Sequence, residues 1–367
     1  MTAPPPVDVA LSMLTLVPGA MGGSETYARA LTRELAGSSD VKVTAYVAAI
    51  AAGFSQGVPE RVVRGVDGGA STRSRLTTLV QTTLRRRSIR TSWANAGVVH
   101  YPFTAPVPRP AASTAVVVSL LDVQHLDLPN LFSRAERAYR SHFYDGAARR
   151  ADVVLTISEF AKSRIVALLG IDPELVAVAP LGVDATEFEP NLGLRENLLV
   201  YPARGWPHKN HAALFEAFSL LRADEPTLRL VLTGGGLEGL GALPVGVDAR
   251  GLVGRAELRE LYRTASALVF PSLYEGFGLP PLEAMASGCP VAASSAGSLP
   301  EICGDAAVLF DAGSPASIAA GVREALARGD ELRDLGLARA RTFTWAACAA
   351  AHVRAYGLAV TARHAGA

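Results

Sequence analysis

Two glutamates eight residues apart, Glu275 and Glu283, bracket a glycine loop in the run Glu275-Gly276-Phe277-Gly278-Leu279-Pro280-Pro281-Leu282-Glu283. Ionised carboxylates accept hydrogen bonds from hydroxyls, and the N–H groups of a helix start suit an anion. A ligand carrying both sugar hydroxyls and phosphates matches such a surface, and a nucleotide-sugar is one. The plainer reading leaves Glu283 to its helix dipole and Glu275 to solvent. Earlier in the chain, Arg204 and Lys209 stand five residues apart in Arg204-Gly-Trp-Pro-His-Lys209. Two such cations can clamp a diphosphate and neutralise it as it leaves. His125, in Leu121-Asp122-Val123-Gln124-His125, falls just past a strand end, where it can bond a sugar hydroxyl or meet developing charge. A core or capping role competes for it, and His100 and Asp127 are secondary candidates.

The elements that must position these residues read as strand–loop–helix units. Ala267–Phe270 is a strand-length apolar run that stops at Pro271, and Pro280 and Pro281 pre-set a helix start with Glu283 in its first turn. Gly288 ends that helix, Pro290–Ser294 makes another strand, and Leu299-Pro300-Glu301 opens a further helix. Repeated units of this kind imply parallel strands, with ligands at the carboxyl ends. Asn197–Pro202 is a strand leading through Arg204 and Lys209 into a helix over Asn210–Leu221. Leu228–Thr233 is a strand ending in Gly234-Gly235-Gly236, a turn that can approach a ligand closely. No lysine follows in P-loop spacing, so ATP hydrolysis is not indicated. Val247–Gly251 reads as a short edge strand and Ala256–Thr264 as a helix.

The N-terminal half repeats the pattern. Val7–Val17 gives a strand, Gly22 and Gly23 lie in its loop, and a helix to Leu35 carries Tyr27, Ala28, Leu31 and Leu35 on one face. Dinucleotide binding would want the G-x-G-x-x-G spacing, which is absent. Further strands are predicted at Val41–Ala48, Val98–Tyr101, Ala115–Leu121, Asp152–Ser158 and Val176–Pro180, and a helix over Phe132–Ala148. At the other end, helices are predicted over Pro315–Ala327, over Glu331–Phe343 and from Trp345 to about Tyr356, with a frayed tail at His364–Ala367.

A chain of 367 residues suits two domains. No apolar run approaches the roughly 18–20 residues that span a bilayer. The start lacks a basic n-region, so no signal peptide is expected. Three cysteines without metal spacing, Cys289, Cys303 and Cys348, suit a reducing cytoplasm. Arginine is abundant while lysine occurs only at Lys42, Lys162 and Lys209, a bias pointing to a GC-rich bacterial genome. Between Gly68 and Leu121 there are seven arginines and no acidic residue. A basic amphipathic helix over residues 72–90, with Leu76, Leu79, Val80, Leu84 and Ile89 interleaved, could rest on anionic lipid or hold a phosphorylated acceptor. The alternative is a solvated arginine face. Nucleic acid is not indicated, because no basic stripe with stacking aromatics accompanies it.

The Glu275–Glu283 run, followed by Ala-Met-Ala-Ser-Gly-Cys-Pro-Val, resembles the glutamate–seven-residues–glutamate motif of the family 4 retaining glycosyltransferases. That resemblance implies an α/β chain of the GT-B type, two Rossmann-like domains with parallel sheets facing across a cleft. The acceptor-binding domain would cover residues 1–185 and the nucleotide-sugar domain 186–343, with 344–367 returning as a helix to the first. It further implies that Glu283 binds the ribose hydroxyls and Glu275 the donor sugar, that Arg204 and Lys209 hold the diphosphate, and that His125 reaches the sugar near its reacting carbon. Gly22 and Gly23 would approach the donor phosphates and the acceptor. Gly234, Val253, Gly276, Phe277, Gly278 and Leu279 would line the nucleotide and sugar. Ala203 departs from the family, where a glycine is common. The Ser298-Leu299 form before Pro300-Glu301 looks like a branch rich in mannosyl- and rhamnosyltransferases.

The implied reaction moves a hexosyl or deoxyhexosyl group from a GDP-, UDP- or dTDP-linked sugar to a hydroxyl of a glycan, lipid-linked or small-molecule acceptor, with retention by same-face attack. No aspartate–any–aspartate motif stands beside the donor site, so no metal or other cofactor is expected. The expected location is cytoplasmic, with peripheral contact at the inner face of the plasma membrane through residues 72–90 as an option. A glycosidase with two facing carboxylates, a two-domain nucleotide-sugar epimerase and a non-catalytic sugar-nucleotide sensor are the alternatives.

Overall fold

A computed structural model describes residues 5–69, 72–103, 105–184 and 186–365, with the side chains at positions 72, 73, 75 and 76 also outside the description. The chain divides into two compact units. The first takes the residues up to Ile157, Ala161–Leu181 and the stretch from Trp345 onward; the second takes Ser158–Phe160 and Gly182–Thr344.

In the first unit, short runs rich in valine and alanine form the strands. These are β1 (Val7–Met13), β2 (Val41–Val47), β3 (Glu60–Val62), β4 (Val98–Tyr101), β5 (Ala115–Ser119), β6 (Val153–Thr156) and β7 (Val176–Val178). All neighbours pair parallel in the order β3-β2-β1-β4-β5-β6-β7. Every residue of β4 and of β6 is buried, as expected of strands whose sheet is covered on both faces. The order reverses between β1 and β4, where a doubly wound sheet opens its ligand crevice.

Helix α1 (Gly23–Leu35) buries Tyr27, Ala28, Leu31 and Leu35 as its pattern predicts. The single basic helix expected over residues 72–90 is instead two, α2 (Thr72–Leu84) and α3 (Arg86–Ser92). The chain leaves helical geometry at Arg85, with φ −92° and ψ 9°. In α2 the inward positions are Thr78 and Thr82, whose hydroxyls bond back to the carbonyls of Ser74 and Thr78 at 2.8 and 2.9 Å. Leu84 is left 79% exposed, while Ile89 in α3 is buried against the Tyr46–Trp93 cluster. The arginines at 73 and 75 and Leu76 lie outside the described side chains.

The helix expected over Phe132–Ala148 begins at Arg134 and is continuous to Ala148, with a π turn within it. After the short α4 (Gln124–Asp127), Ser133 and Glu136 form a reciprocal capping box that starts α5 at Arg134 and runs it to Arg140. A π turn, Ser141–Asp145, follows before α6 (Gly146–Ala148). Then come α7 (Glu159–Leu169) and β7.

The second unit is built alike. Its strands are β8 (Glu196–Pro202), β9 (Arg229–Thr233), β10 (Val247–Ala249), β11 (Ala265–Phe270), β12 (Val291–Ser294) and β13 (Val308–Phe310), all parallel in the order β10-β9-β8-β11-β12-β13. The helices are α8 (His211–Asp224), α9 (Arg255–Thr264), α10 (Leu279–Ala286), α11 (Leu299–Cys303), α12 (Pro315–Ala327) and α13 (Gly329–Ala340). Gly288, at φ 69°, turns the chain out of α10 in the left-handed region that favours glycine. The reversal here falls between β8 and β11.

Helix α14 (Trp345–Ala365) belongs to the first unit and packs on α1, β5 and β6. It runs well past Tyr356 and through His364, so the frayed tail is helical to Ala365, and positions 366 and 367 lie outside the described residues. The three cysteines are free and buried, and burial pushes the Cys289 thiol up to about 11 and those of Cys303 and Cys348 to about 12.

Candidate active site

Because the second sheet reverses between β8 and β11, the loops leaving these two strands lie side by side. The backbone N–H of Leu273 donates to His208 O at 2.8 Å. Asn210, held at a left-handed φ of 59°, donates from its side-chain amide to Pro271 O and Ala312 O at 3.2 and 2.8 Å. This cross-bracing brings the Lys209 ammonium onto a Glu275 carboxylate oxygen, both side chains only 14% exposed. Arg204, at the mouth of β8, has its guanidinium carbon 5.2 Å from the centre of the Trp206 ring. Thus two cations and one of the two glutamates, distant in sequence, share one edge of the sheet.

The glycines around them are explained mostly by close approach of backbone. A Cβ on Gly234 (φ 138°) would collide with the Ala203 carbonyl, and one on Gly205 with the Gly236 carbonyl. The loop Glu275–Gly278 is held by the turn after β12. A Cβ on Gly297 would lie 2.6 Å from Glu275 O, which accepts the Ser298 N–H at 3.1 Å, and Ser298 Oγ donates to Phe277 O at 2.8 Å. Both Ser298 donors therefore hold the loop. Phe277 is buried with its ring edge-on to Phe343 at 5.8 Å, so it can offer a ligand only its backbone. Gly278, at φ 108°, turns the chain into α10. Proline has no N–H, so of the first three residues of α10 only Leu279 carries a backbone donor. The helix start is a poorer anion site than the sequence suggests.

Glu283 lies in the second turn of α10 rather than the first, and does not share a cation with Glu275. Its carboxylate is 7% exposed as a residue, meets Arg255 Nη1 at 3.1 Å and accepts the Tyr262 hydroxyl at 3.2 Å. Burial pushes the Glu283 carboxyl above its ordinary range, opposed by the Arg255 charge and by both hydrogen bonds. Burial by itself would lower the Arg255 guanidinium. The hydrogen bonds and charges of Glu187 and Glu283 outweigh it and hold the group above its ordinary value. Arg255 stands two residues beyond Val253, so the loop entering α9 adjoins the Glu283 cluster. Neither Arg255 nor Tyr262 carries a local sequence signal; only the packing of α9 beside α10 brings them in.

In the first unit, Gly22 adopts φ 55° at the start of α1, and the loop is tied by the Gly19 N–H donating to Glu25 Oε2 at 2.7 Å. Gly23 opens the helix and is exposed. His125 is buried on α4, its Nε2 2.9 Å from Asp145 Oδ1. His100 is committed to a buried hydrogen-bond chain with Ser119 and Tyr356. Asp127 is paired with Arg164, whose Nε lies 2.9 Å away. Asp122 caps its own turn by accepting the Gln124 N–H at 3.0 Å.

Two Rossmann-like units of parallel strands, the second with Lys209 against Glu275 at its switch point, make up the GT-B architecture. Residues 21–187 match the family described as Glycosyltransferase Family 4, and residues 183–340 match Glycosyl transferases group 1. The chain belongs to the family 4 glycosyltransferases. It is 27% identical over 297 residues to O-antigen chain mannosyltransferase B of Escherichia coli, a match taking in 73% of this chain and 77% of that one. It is 34% identical over 235 residues to an MMP alpha-(1->4)-mannosyltransferase of Mycolicibacterium hassiacum, covering 58% of this chain and 56% of the relative. Among solved structures, a sucrose-phosphate synthase from Thermosynechococcus elongatus superimposes with a TM-score of 0.77 at 20% identity, over 96% of this chain and 98% of that one. No helix among the described residues is long and apolar enough to cross a membrane.

Proposed function

We propose that this glycosyltransferase moves a mannosyl group, or a closely similar hexosyl or deoxyhexosyl group, from a nucleoside-diphosphate sugar to a hydroxyl acceptor with retention of configuration. The observation that carries this reading is the Lys209–Glu275 pair at the β8/β11 switch point, with Arg204 in the same loop just past the end of β8. A diphosphate arriving there gives Lys209 a second anionic partner beside Glu275 and meets the Arg204 guanidinium. These cations offset the charge that develops as the anomeric carbon–oxygen bond breaks and the acceptor oxygen bonds to that carbon. The leaving phosphate oxygen takes the acceptor proton. With two cations for this charge, transfer is expected to need no divalent metal. Glu283 is the acceptor for ribose hydroxyls, and His125 for a hydroxyl of the transferred sugar. The mannosyl choice is supported by the names of the two relatives. The exposed surface from Val80 to Arg90 is assigned to peripheral contact with anionic lipid, since Val80 and Leu84 stand in solvent beside Arg85, Arg86, Arg87 and Arg90.

A donor panel tests the reading. GDP-, UDP- and dTDP-linked sugars are titrated calorimetrically, and transfer is followed with glycan and lipid-linked acceptors. One nucleotide class should bind tightly, and Arg204→Ala and Glu283→Ala should abolish or strongly weaken that binding. Binding of no sugar nucleotide sinks the proposal. Isomerised donor without acceptor would mark an epimerase, and binding without turnover a sensor.

A further inference from the structure

His125 and Asp145 come from separate segments, α4 and the π turn Ser141–Asp145, and meet in the interior of the first unit with each residue only 2% exposed. The contact is 2.9 Å between His125 Nε2 and Asp145 Oδ1. A carboxylate only accepts, so Nε2 carries a proton, and in the neutral ring the lone pair then lies on Nδ1. Two aromatic rings stand at right angles to the imidazole. Phe132 is at 6.4 Å and 83°, and Tyr144 at 6.3 Å and 90°. One hydrogen bond and two ring contacts thus fix the imidazole plane. His125 Nδ1, by contrast, is buried with no hydrogen-bond partner among the described residues. An unpaired buried nitrogen is costly, and its retention calls for a specific reason. The aspartate reaches the ring from a π turn, an irregularity that recurs at functional sites because the added residue re-aims the side chains around it.

We propose that Asp145 is a positioning residue that locks His125 as the Nε2–H tautomer, so that Nδ1 accepts a hydrogen bond from a hydroxyl of the transferred sugar. This rests on the transferase reading above, in which His125 meets the sugar. Asp145 touches no substrate and acts through the ring. The nearest physical parallel is the buried aspartate of a catalytic triad, whose replacement by asparagine leaves the histidine in the wrong tautomer.

The test joins nitrogen-15 NMR of the histidine side chains with kinetics. The His125 resonances are identified by their loss in His125→Gln. In the substrate-free wild-type protein they should show Nε2 protonated and Nδ1 bare, and Nδ1 should shift toward a hydrogen-bonded nitrogen when the sugar nucleotide is added. Asp145→Asn, whose amide can donate as well as accept, should lose that tautomer preference. Its kcat/KM for transfer should fall roughly 5- to 150-fold, the range for one lost hydrogen bond, with affinity for the nucleoside diphosphate alone unchanged. The double variant Asp145→Asn/His125→Gln should lose no more than His125→Gln alone. A wild-type His125 protonated on Nδ1 overturns the proposal even if the variants fail to fold. So does an Asp145→Asn loss that adds in full to that of His125→Gln. Absence of transfer by the wild-type protein with every donor overturns the transferase reading instead, and the substrate-free spectra still decide the tautomer.

Discussion

At the scale of single residues, the two glutamates of the motif have different environments and should titrate differently in their effects. Glu283 is buried, and its carboxyl is pushed above the ordinary carboxylate range even with Arg255 and Tyr262 beside it. Only the ionised form offers all its lone pairs to ribose hydroxyls. As pH falls, Glu283 takes up its proton while an ordinary carboxylate is still charged. Affinity for the nucleoside diphosphate should therefore drop at a pH above that expected of a free glutamate, near 4.3. Glu283→Gln should bind about 10- to 150-fold more weakly at neutral pH, the cost of one to two charge-assisted hydrogen bonds, and should lose this step from its pH profile. Calorimetric dissociation constants at intervals from pH 7.5 down to the limit of folding check this. An identical profile in wild type and Glu283→Gln would assign the step to another group.

At the scale of elements, α14 is held to the first unit by a hydrogen-bond chain whose direction follows from one carbonyl. His352 Nδ1 lies 2.8 Å from Cys348 O, which can only accept, so Nε2 must accept from the Tyr27 hydroxyl at 2.6 Å. Ser119 then donates to the Tyr27 oxygen at 3.0 Å and accepts from His100 Nε2 at 2.8 Å. That leaves His100 Nδ1 to accept from the Tyr356 hydroxyl at 2.9 Å. Both imidazoles are neutral in this arrangement. Burial lowers His352 to about 4 despite the Cys348 carbonyl, and burial with the nearby His352 lowers His100 well below its ordinary value. Below about pH 6.5 the unfolded chain binds protons that the folded one refuses, so stability is lost as pH falls, for His352 down to about 4. Between pH 7 and pH 5 this histidine alone should cost about 2 kcal/mol. His352→Gln should flatten the dependence by that amount in urea unfolding at the two pH values; an unchanged slope would show that the ring is not buried neutral. Nothing in the local pattern announces this chain, because its members lie on α1, β4, β5 and α14. By contrast, the motif loop, the Arg204–Lys209 spacing and most strands were legible, since glycine, proline and apolar runs act locally. The three-residue edge strands β3 and β13 depend on a neighbour's ladder, the break at Arg85 on inward-facing threonines, and Asp145 on a π turn, so these were not.

At the scale of the whole molecule, charge is nearly balanced, with 35 lysines and arginines against 34 aspartates and glutamates. Local imbalance is therefore what could direct the protein to a surface. The strongest lies at the end of α2 and in α3, where Arg85, Arg86, Arg87 and Arg90 are exposed, beside Val80 at 57% and Leu84 at 79% exposure. Arginine charges flanking exposed aliphatic groups suit the headgroup region of an anionic bilayer, where each contributes about 1 kcal/mol within a Debye length. Ile89, buried in the core, anchors α3 so that its arginines stay outward. The full chain should sediment with vesicles containing phosphatidylglycerol and not with purely zwitterionic ones, and should be released as salt rises. Arg86→Ala/Arg87→Ala should weaken binding by about 2 kcal/mol, roughly 30-fold. Leu84→Ser should weaken it with little change in salt dependence, because it removes apolar insertion rather than charge. Both variants change exposed side chains and should leave sugar-nucleotide affinity as it is. If the double variant sediments like the wild type, the arginines are a solvated face and the acceptor must be met elsewhere. If sedimentation is lost but a phosphorylated soluble acceptor still competes for the same residues, the patch reads phosphate rather than lipid.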